Sequence, residues 1–539
     1  MNSSLVALDW TIIGLYFVIT FGVAIYAWLR ERASKRTTDE YFLAGRDVGW
    51  FLIGGSLFAS NIGSEHLVGL AGTGAASGVA VGQFEILASL ILLLLGWLFV
   101  PFYLTSGVFT MPEFLERRYS PGARWYLAII SIIGYVLTKI SVTIAAGGIV
   151  FEALMGIDFW TGALVVVVVT GVYTIFGGLR AVLYTDLMQM FVLIGGAIAV
   201  TIVGLAAIGG WDGLQSQVGP GFMSLWRPMS DPNFPWTGIL FGAPILGIWY
   251  WCTDQFIVQR VLAAKNQTAA RRGTIFAAYL KLLPLFIFVL PGLVAYVLVQ
   301  QGRMQLASPD QALPSLVATL LPAGLRGLVV AGLLAALMSS LSSVFNSTST
   351  LITIDVYKKL RPTTTERGLV LVGQVSTTLL VGLGLLWIPL MKLVSGQLYQ
   401  YLQSVQAYIS PPITAVFLVG ILWHRVNAVG AMASLITGFV LGMGRLVAEL
   451  NKNSLEGILR SYADINFLHF AVILFVVCSA VLIIVSLFTP APAAEKVKGL
   501  TFAKAPPDAV ANPTRNRGLD IALSLLLMVL VAVIWIYFS

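Results

Sequence analysis

The feature that most constrains this chain is a polar interruption inside a long apolar segment. Residues 50–76 are apolar enough to cross a bilayer, yet positions 56–69 read SLFASNIGSEHLVG, with small and polar residues side by side. A membrane interior has no water to satisfy backbone N–H and C=O groups, so a broken helix is tolerated only where it lines a protein cavity. Carbonyl oxygens freed by such a break can hold an ion. The sequence therefore predicts an unwound, cavity-lining helix here.

Composition places the chain in a membrane. Of the 539 residues, 58% are hydrophobic and only 10% are charged, whereas a soluble domain carries about 25% charged residues. The first apolar run, residues 7–29, has spanning length and no small-residue cleavage site after it, which predicts a helix and not a signal peptide. The two cysteines, Cys252 and Cys478, indicate no disulfide framework and no metal-ligand spacing.

The apolar runs predict an all-α integral membrane protein with about 14 transmembrane helices, numbered here α1–α14. Their predicted bounds are 7–29, 50–76, 79–104, 125–154, 159–176, 182–208, 236–262, 274–300, 325–357, 368–390, 397–423, 428–450, 467–488 and 519–538. Lys and Arg gather in alternate loops, which predicts a multi-pass plasma (inner) membrane protein with both termini outside. This topology accounts for the net charge of +8, so no nucleic-acid partner is implied.

A second polar interruption lies five helices after the first. In α7, Pro244 and Gly247 precede the sequence YWCTDQ at positions 250–255. Two broken segments in corresponding positions indicate a transporter built from an inverted five-helix repeat. The predicted units are 1–49 (α1 and a basic cytoplasmic loop), 50–208 (first repeat, α2–α6), 209–235 (extracellular loop), 236–426 (second repeat, α7–α11) and 427–539 (peripheral α12–α14, with a cytoplasmic linker at 489–518).

Helix α9 offers hydroxyl ligands for a cation at the first break. Ser339 and Ser340, in the run SSLSS at positions 339–343, point about 100° apart, so both hydroxyls can face one ion. Serines in membrane helices also act as small packing residues that bond to their own backbone, and this alternative stays open. Asp186, at the predicted start of α6, is a second ionic candidate because a carboxylate at this depth needs a partner. Its alternative role is an N-terminal cap of α6.

Polar and aromatic side chains at membrane depth predict a solute site. Glu85 on α3 and Lys281 on α8 mark either a functional site or a structural ion pair. His66 has the alternative of a core histidine, Trp251 that of an interface aromatic, and Gln403 that of a contact between helices. Mixed hydrogen-bond donors and acceptors beside a flat apolar face suit a polyhydroxylated ring. The residues that would provide them are Asn61, His66, Glu85, Tyr250, Lys281 and Gln403.

The motifs around these residues resemble the sodium/solute symporter family, and within it the sodium/glucose cotransporters. The similar segments are DEYFLAGR at 39–46, SNIGSEH at 60–66, GGL at 177–179, YTD at 184–186, Arg425 with GA at 430–431, WYWCTDQ at 249–255, the run from Gly396 and Gln397 to Gln403, and SPP at 410–412. The resemblance implies a fold of the leucine-transporter type and sodium-driven uptake. Glu65 differs from the glycine of the animal sugar carriers, and this difference leaves the hexose undefined.

The resemblance also implies two ion sites and a set of solute contacts. One sodium ion would be held by the backbone carbonyls of Ala59, Ile62 and Ala336 and by the hydroxyls of Ser339 and Ser340. A second, found in two-sodium members, would lie near Asp186, Ser342 and Ser343. The implied sugar contacts are Asn61, His66, Glu85, Tyr250, Trp251, Lys281 and Gln403, with Phe84 towards the outer side and Tyr250 as the inner gate.

The sequence thus predicts a secondary active transporter that couples sodium influx to uptake of a neutral glucose- or galactose-like sugar. Its partners would be sodium, the sugar and the lipid bilayer. A sodium symporter for another solute, such as myo-inositol, sialic acid, proline or choline, is the alternative. Glu85 opposes Lys281, which favours a neutral solute over a carboxylate. A membrane sensor or a channel is a more distant alternative, and no nucleophile–base pair indicates an enzyme.

Overall fold

The computed structural model describes residues 5–32, 37–391, 398–502 and 517–539. Within these ranges the chain is helical, and the only extended pairings are two isolated β-bridges. Among the described residues, eleven helical stretches are long and apolar enough to cross a membrane. The predicted α2, α5 and α7 add no separate stretch to that number. Helices α2 and α7 are interrupted, α2b joins α3 in the stretch His66–Ser106, and Phe159–Gly171 of α5 is shorter than a full crossing.

The helices have the following bounds. They are α1 Ala7–Arg32, α2a Trp50–Asn61, α2b Ser64–Ser77, α3 Gln83–Leu94 and Val100–Ser106, α4 Pro121–Tyr135 and Ser141–Val150, α5 with α6 Phe159–Ala207, α7 Trp236–Phe241, Ala243–Ile248 and Gln255–Leu262, α8 Gln267–Leu280 and Leu290–Gln300, α9 Leu325–Thr350, α10 Glu366–Met391, α11 Leu398–Leu422, α12 Ala428–Leu450, α13 Phe467–Leu487 and α14 Arg517–Tyr537. Wider π-helical turns extend several of them, at Leu95–Phe99, Val136–Ile140, Phe151–Met155, Trp249–Thr253, Leu285–Val289 and Leu351–Tyr357.

The predicted interruption of α2 is present. Helix α2a ends at Asn61, and Ile62 and Gly63 then leave the helical conformation, with ψ angles of 81° and 179°. Helix α2b begins at Ser64. The N–H of Gly63 turns back to the carbonyl oxygen of Asn61 at 2.9 Å. The helical hydrogen-bond ladder is therefore broken over two residues, as the sequence predicts.

The second predicted interruption, in α7, is also present. A π-helical turn, Trp249–Thr253, is followed by Asp254 in an extended conformation, with φ −80° and ψ 128°. The helix then restarts as Gln255–Leu262. The Asp254 carboxylate accepts a hydrogen bond from the N–H of Phe256 at 3.3 Å and so caps the restarted helix.

A short backbone bridge ties the two interrupted helices together. Val48, just before α2a, donates its N–H to the carbonyl oxygen of Ala263 at 3.0 Å. The carbonyl oxygen of Val48 accepts the N–H of Lys265 at 3.1 Å. Since Ala263 and Lys265 directly follow α7, these two hydrogen bonds hold the start of α2 next to the end of α7.

The predicted boundary between α5 and α6 is wrong. The sequence predicts separate α5 and α6, but the chain stays helical over Phe159–Ala207, and Arg180 in its middle donates to the carbonyl oxygen of Ala44 at 2.9 Å. Helix α8 reaches Gln300 within one span, Gln267–Gln300, and is locally irregular after Leu280, because Pro284 lacks the N–H that would bond to the Leu280 carbonyl.

Glycines allow α2 and α8 to pack closely. A Cβ on Gly292 of α8 would lie 2.1 Å from the carbonyl oxygen of Ala71 in α2b, and a Cβ on Gly54 of α2a would lie 2.7 Å from the carbonyl oxygen of Gly273 in α8. Small residues let membrane helices approach until their backbones touch. Both halves of the broken α2 therefore rest on α8, the helix that leads to Lys281.

A buried carboxylate fastens α1 to the start of α9. Asp9 accepts the N–H groups of Gly324 at 2.7 Å and Gly327 at 2.9 Å, and the Nε–H of Arg326 at 3.1 Å. The first N–H groups of a helix have no partner within that helix. Asp9 therefore caps α9 from a different helix, and its negative charge faces the positive end of the helix dipole.

Substituting Asp9→Ala is expected to lower the free energy of unfolding by about 2 kcal/mol, because buried helix-end N–H groups lose their acceptor. Thermal unfolding of the detergent-solubilised protein should show a lower Tm. Asp212→Ala is the control, since Asp212 lies exposed in the first turn of the short helix Gly210–Gln217. Equal Tm values for the two variants would contradict the capping role.

Candidate ion and solute sites

The break in α2 leaves backbone oxygens available. The carbonyl oxygen of Phe58 accepts the N–H of Ile62 at 2.8 Å, and that of Asn61 accepts the N–H of Gly63. Between the described residues, no hydrogen bond joins a donor to the carbonyl oxygens of Ala59 and Ile62. Both residues are buried. Buried carbonyl oxygens without donors are suited to a hard cation, which prefers oxygen ligands.

Helix α9 contacts this break through its serines. The hydroxyl of Ser340 donates to the carbonyl oxygen of Ser60 at 3.2 Å. The hydroxyl of Ser339 donates instead to Asp186 Oδ1 at 2.5 Å. Ala336 is buried one turn earlier on α9. Ser340 thus contacts the break, and Ser339 bonds to the carboxylate of Asp186. Ala336 lies on the adjacent turn of α9.

The carboxylate of Asp186 accepts hydrogen bonds from serine hydroxyls on two other helices. Its Oδ2 accepts hydrogen bonds from Ser56 at 2.7 Å and from Ser60 at 2.8 Å, both on α2a, while Ser339 on α9 bonds to Oδ1. Asp186 lies inside the continuous helix Phe159–Ala207, so its interpretation as an N-terminal cap is wrong. Ser342, predicted beside Asp186, donates to the carbonyl oxygen of Ser339 in its own helix at 3.0 Å.

Arg260 completes this cluster, and the sequence reasoning missed it. Its Nη2 lies 3.7 Å from Asp186 Oδ2 and donates to the Ser343 hydroxyl at 2.5 Å, and its Nε donates to Ser56 at 3.0 Å. Ser343 in turn donates to Ser60 at 3.3 Å. Helices α2a, α6, α7 and α9 therefore meet in one hydrogen-bonded cluster. The available signal was an arginine inside a predicted span, because a buried guanidinium needs a carboxylate partner.

A cavity of about 50 Å³ lies beside the break. Helices α2, α3, α4, α7 and α11 form its walls. The lining residues are Asn61, His66, Phe84, Glu85, Leu87, Ala88, Ile91, Lys139, Ala243, Leu246, Gly247, Tyr250, Trp251, Tyr399, Leu402, Gln403 and Gln406. Seven of the eight predicted solute residues are in this lining, and the eighth, Lys281, bonds directly to two of them.

A buried ion pair joins three helices at the cavity wall. Lys281 Nζ donates to Glu85 Oε2 and, at 2.5 Å, to the side-chain oxygen of Asn61. The other carboxylate oxygen, Glu85 Oε1, accepts from the Tyr399 hydroxyl at 3.5 Å and lies 3.8 Å from Nε2 of His66. Glu85 and Lys281 therefore form an ion pair, and Glu85 also lines the cavity.

Tyr250 adjoins the ion pair through Asn61. The Tyr250 hydroxyl accepts hydrogen bonds from Asn61 Nδ2 at 2.9 Å and from Lys139 Nζ at 3.1 Å. Trp251 packs edge-on against Tyr250, with ring centroids 5.1 Å apart, and Lys281 Nζ lies 5.5 Å from its ring centroid. One amide, that of Asn61 at the end of α2a, thus links the charged pair to the aromatic side of the cavity.

Aromatic rings cover another side of the cavity. The Phe84 ring contacts Tyr399 and Phe234 edge-on, with centroids 6.0 and 6.1 Å apart. Gln403 follows Tyr399 by one turn of α11. Tyr399 and Lys139 were missed as cavity residues. Lys139 is a basic residue within an apolar run and carried a usable signal, whereas Tyr399 differs in no local way from other buried tyrosines.

Two interrupted helices, buried oxygen ligands and an adjacent polar cavity define a membrane transporter of the ion-coupled class. Residues 41–438 match the sodium:solute symporter family, and the chain belongs to this family. The predicted family and the predicted leucine-transporter-type fold are confirmed.

The chain is similar to individual members of the family over most of its length. It is 40% identical over 527 residues to sodium/glucose cotransporter 1 of Oryctolagus cuniculus, covering 90% of this chain and 79% of that protein. It is 38% identical over 554 residues to the sodium/myo-inositol cotransporter of Mus musculus, covering 93% and 76%. A solved sialic acid symporter, Na⁺-coupled and in a substrate-bound outward-open state, has the same fold, with a TM-score of 0.75, 23% identity, and coverage of 90% and 99%.

Substituting Lys281→Met is expected to destabilise the folded protein by about 3 kcal/mol, because it leaves the Glu85 carboxylate buried without its counter-charge. The double variant Glu85→Gln with Lys281→Met removes both charges and should recover most of that loss. Chemical unfolding of the wild type, Lys281→Met, Glu85→Gln and the double variant in detergent measures the coupling energy between the two sites. Additive effects would contradict a direct interaction.

Proposed function

We propose that this protein imports a neutral sugar of the glucose or galactose type together with sodium, by alternating access across the plasma (inner) membrane. The observation that carries this proposal is the cavity wall, in which Asn61, Glu85 and Lys281 offer directional donors and acceptors. Tyr250 and Trp251 add aromatic faces for the C–H side of a ring. Because Glu85 and Lys281 balance each other's charge, the wall favours an uncharged, polyhydroxylated solute.

Sugar contacts are proposed at the cavity residues that can exchange hydrogen bonds with hydroxyl groups. We assign them to Asn61, His66, Glu85, Tyr250, Trp251, Lys281 and Gln403. Phe84 would cover the outer side together with Phe234, and Tyr250 would act as the inner gate. Myo-inositol is the second candidate substrate, supported by the 38% identity to a named myo-inositol cotransporter.

The coupled sodium ion is assigned to the break in α2. The free carbonyl oxygens of Ala59 and Ile62 face no donor among the described residues, and Ser340 already contacts the same turn. The Ser339 hydroxyl and the Ala336 carbonyl would complete the ligand set. A cation here would join α2 to α9 and hold Asn61 in position for the solute. By linkage, sodium and sugar must then raise each other's affinity by the same factor.

A second sodium ion is assigned to the neighbourhood of Asp186, Ser342 and Ser343. Arg260 lies 3.7 Å from this carboxylate and already supplies one positive charge. Sodium at this place would have to share Asp186 with the guanidinium. The proposal therefore covers one or two sodium ions per sugar.

The cavity and the ion sites fall between the two proposed repeats. Residues 50–208 would form the first repeat and residues 236–426 the second, with 209–235 outside, α12–α14 at the periphery and both termini outside. The backbone bridge at Val48 and the packing of α2 on α8 support a core built from both repeats. Alternating access would then move one group of helices against the other around the cavity.

Substituting Ser340→Ala is expected to raise the sodium concentration for half-maximal uptake about tenfold, because one oxygen ligand is lost. The measurement is sugar uptake into proteoliposomes as a function of external sodium. Ser349→Ala is the control, since Ser349 lies on the same helix but faces Gly373 of α10. Sodium dependence that is identical in Ser340→Ala and wild type would refute the assigned site.

Counterflow in proteoliposomes with a panel of solutes tests the substrate assignment. Glucose or galactose is expected to drive accumulation of labelled sugar only when sodium is present, because the ion holds Asn61 at the cavity. Myo-inositol, proline, choline and sialic acid complete the panel. Counterflow with sialic acid and none with neutral sugars would reject the proposal.

A further inference from the structure

Asp310 lies outside the sites described above, in the turn Pro309–Gln311 between α8 and α9. Its Oδ2 accepts the N–H of Leu398, the first residue of α11, at 3.1 Å. Its other oxygen packs against α2b, because a Cβ on Gly72 would lie 2.6 Å from Oδ1. Only 3% of Asp310 is exposed. One buried carboxyl group thus bridges the external-loop segment, α2b and α11.

The two helices that Asp310 bridges both line the solute cavity. Helix α2b carries His66, and α11 carries Tyr399 and Gln403. The helices also touch close to the bridge, since a Cβ on Gly69 would lie 2.8 Å from the Tyr399 side chain. A solute that enters between α2b and α11 must separate them. Separation breaks the bridge and exposes the Asp310 carboxyl group to water.

In the bridged arrangement the carboxyl group of Asp310 has few hydrogen-bond donors. Among the described residues, Oδ1 of Asp310 has no hydrogen-bond partner. Burial raises the pKa of Asp310 from 3.8 to about 7, and the hydrogen bond from Leu398 opposes this rise. A carboxyl group that is released into water would return to its ordinary pKa of about 3.9.

Few other charges face this group. Helix α2b carries Glu65 and His66 in its first turn, and His66 lies 3.8 Å from Glu85 at the cavity wall. The helix Ala312–Leu320, which follows the turn, and helix α11 contain no Asp, Glu, Lys, Arg or His. Arg303 is exposed in the preceding loop, and Lys392 lies outside the described residues.

We propose that Asp310 is an external proton-binding site that holds the outer side of the carrier closed. The group is protonated while α2b and α11 are bridged, and it is ionised when they separate. The closed arrangement therefore binds more protons between the two pKa values, so acid favours closure and the effect ends above the higher value. This role rests on the proposed alternating-access transport.

Transport kinetics test the proposal with external pH as the variable and internal pH fixed. In wild type, the KM for external sugar should rise by up to about tenfold between pH 7 and pH 6. The binding of one proton can change an equilibrium by at most about tenfold per pH unit. Asp310→Asn keeps an acceptor for Leu398 but cannot titrate, so its pH step should vanish. Asp158→Asn, at an exposed cap of α5, is the matched control and should keep the step. A pH step that persists in Asp310→Asn overturns the proposal.

Hydrogen exchange tests the same claim without transport. After correction for intrinsic exchange rates, the peptide 398–406 should exchange about tenfold more slowly at pH 6 than at pH 8 in wild type, and equally at both in Asp310→Asn. Gly72→Ala, which displaces the carboxyl group towards water, should also reduce the difference. If no sugar is transported but this difference is present, the transport function fails and the proton site stands. Equal protection in wild type at both pH values overturns the proton site.

Discussion

The proposed ion site and the cavity both depend on the break in α2, where backbone carbonyl oxygens have no hydrogen-bond donor within the helix. Two residues, Ile62 and Gly63, leave the helix at membrane depth, where no water can replace the lost hydrogen bonds. Ser340 on α9 supplies a hydroxyl to the last turn of α2a, and Asn61 turns its side chain to Lys281 and Tyr250. The same interruption therefore contributes to the proposed ion site and also to the wall of the cavity.

Asp186 and Arg260 connect helices α2a, α6, α7 and α9 beside the break. A buried carboxylate that accepts three serine hydroxyls is costly to desolvate, and the nearby guanidinium offsets part of that cost. Each serine in the cluster lies on α2a or α9, the helices that flank the break. A change in the charge near Asp186 would act on both helices at once, so a cation at the proposed site would affect the positions of α2a and α9 together.

The sequence was sufficient for the interrupted helices and for most of the cavity, because a polar residue in an apolar run is conspicuous. Asn61, Glu85 and Lys281 were identifiable for that reason alone. The partners of Asp186 were not, since its contacts cross from α6 to α2, α7 and α9 and no local spacing encodes them. The continuity of α5 and α6 also escaped prediction, because Gly177 and Gly178 have low helix propensity and indicate a boundary when only the local sequence is considered.

The polar groups of the cavity are already paired with one another. Lys281 bonds to Glu85 and Asn61, and the Tyr250 hydroxyl receives two donors. An arriving hydroxylated molecule must exchange these bonds one for one, so little net enthalpy is gained from each contact. The affinity for such a molecule would then be low, and its dissociation would be fast. Low affinity favours a transporter, because the solute must be released in every transport cycle.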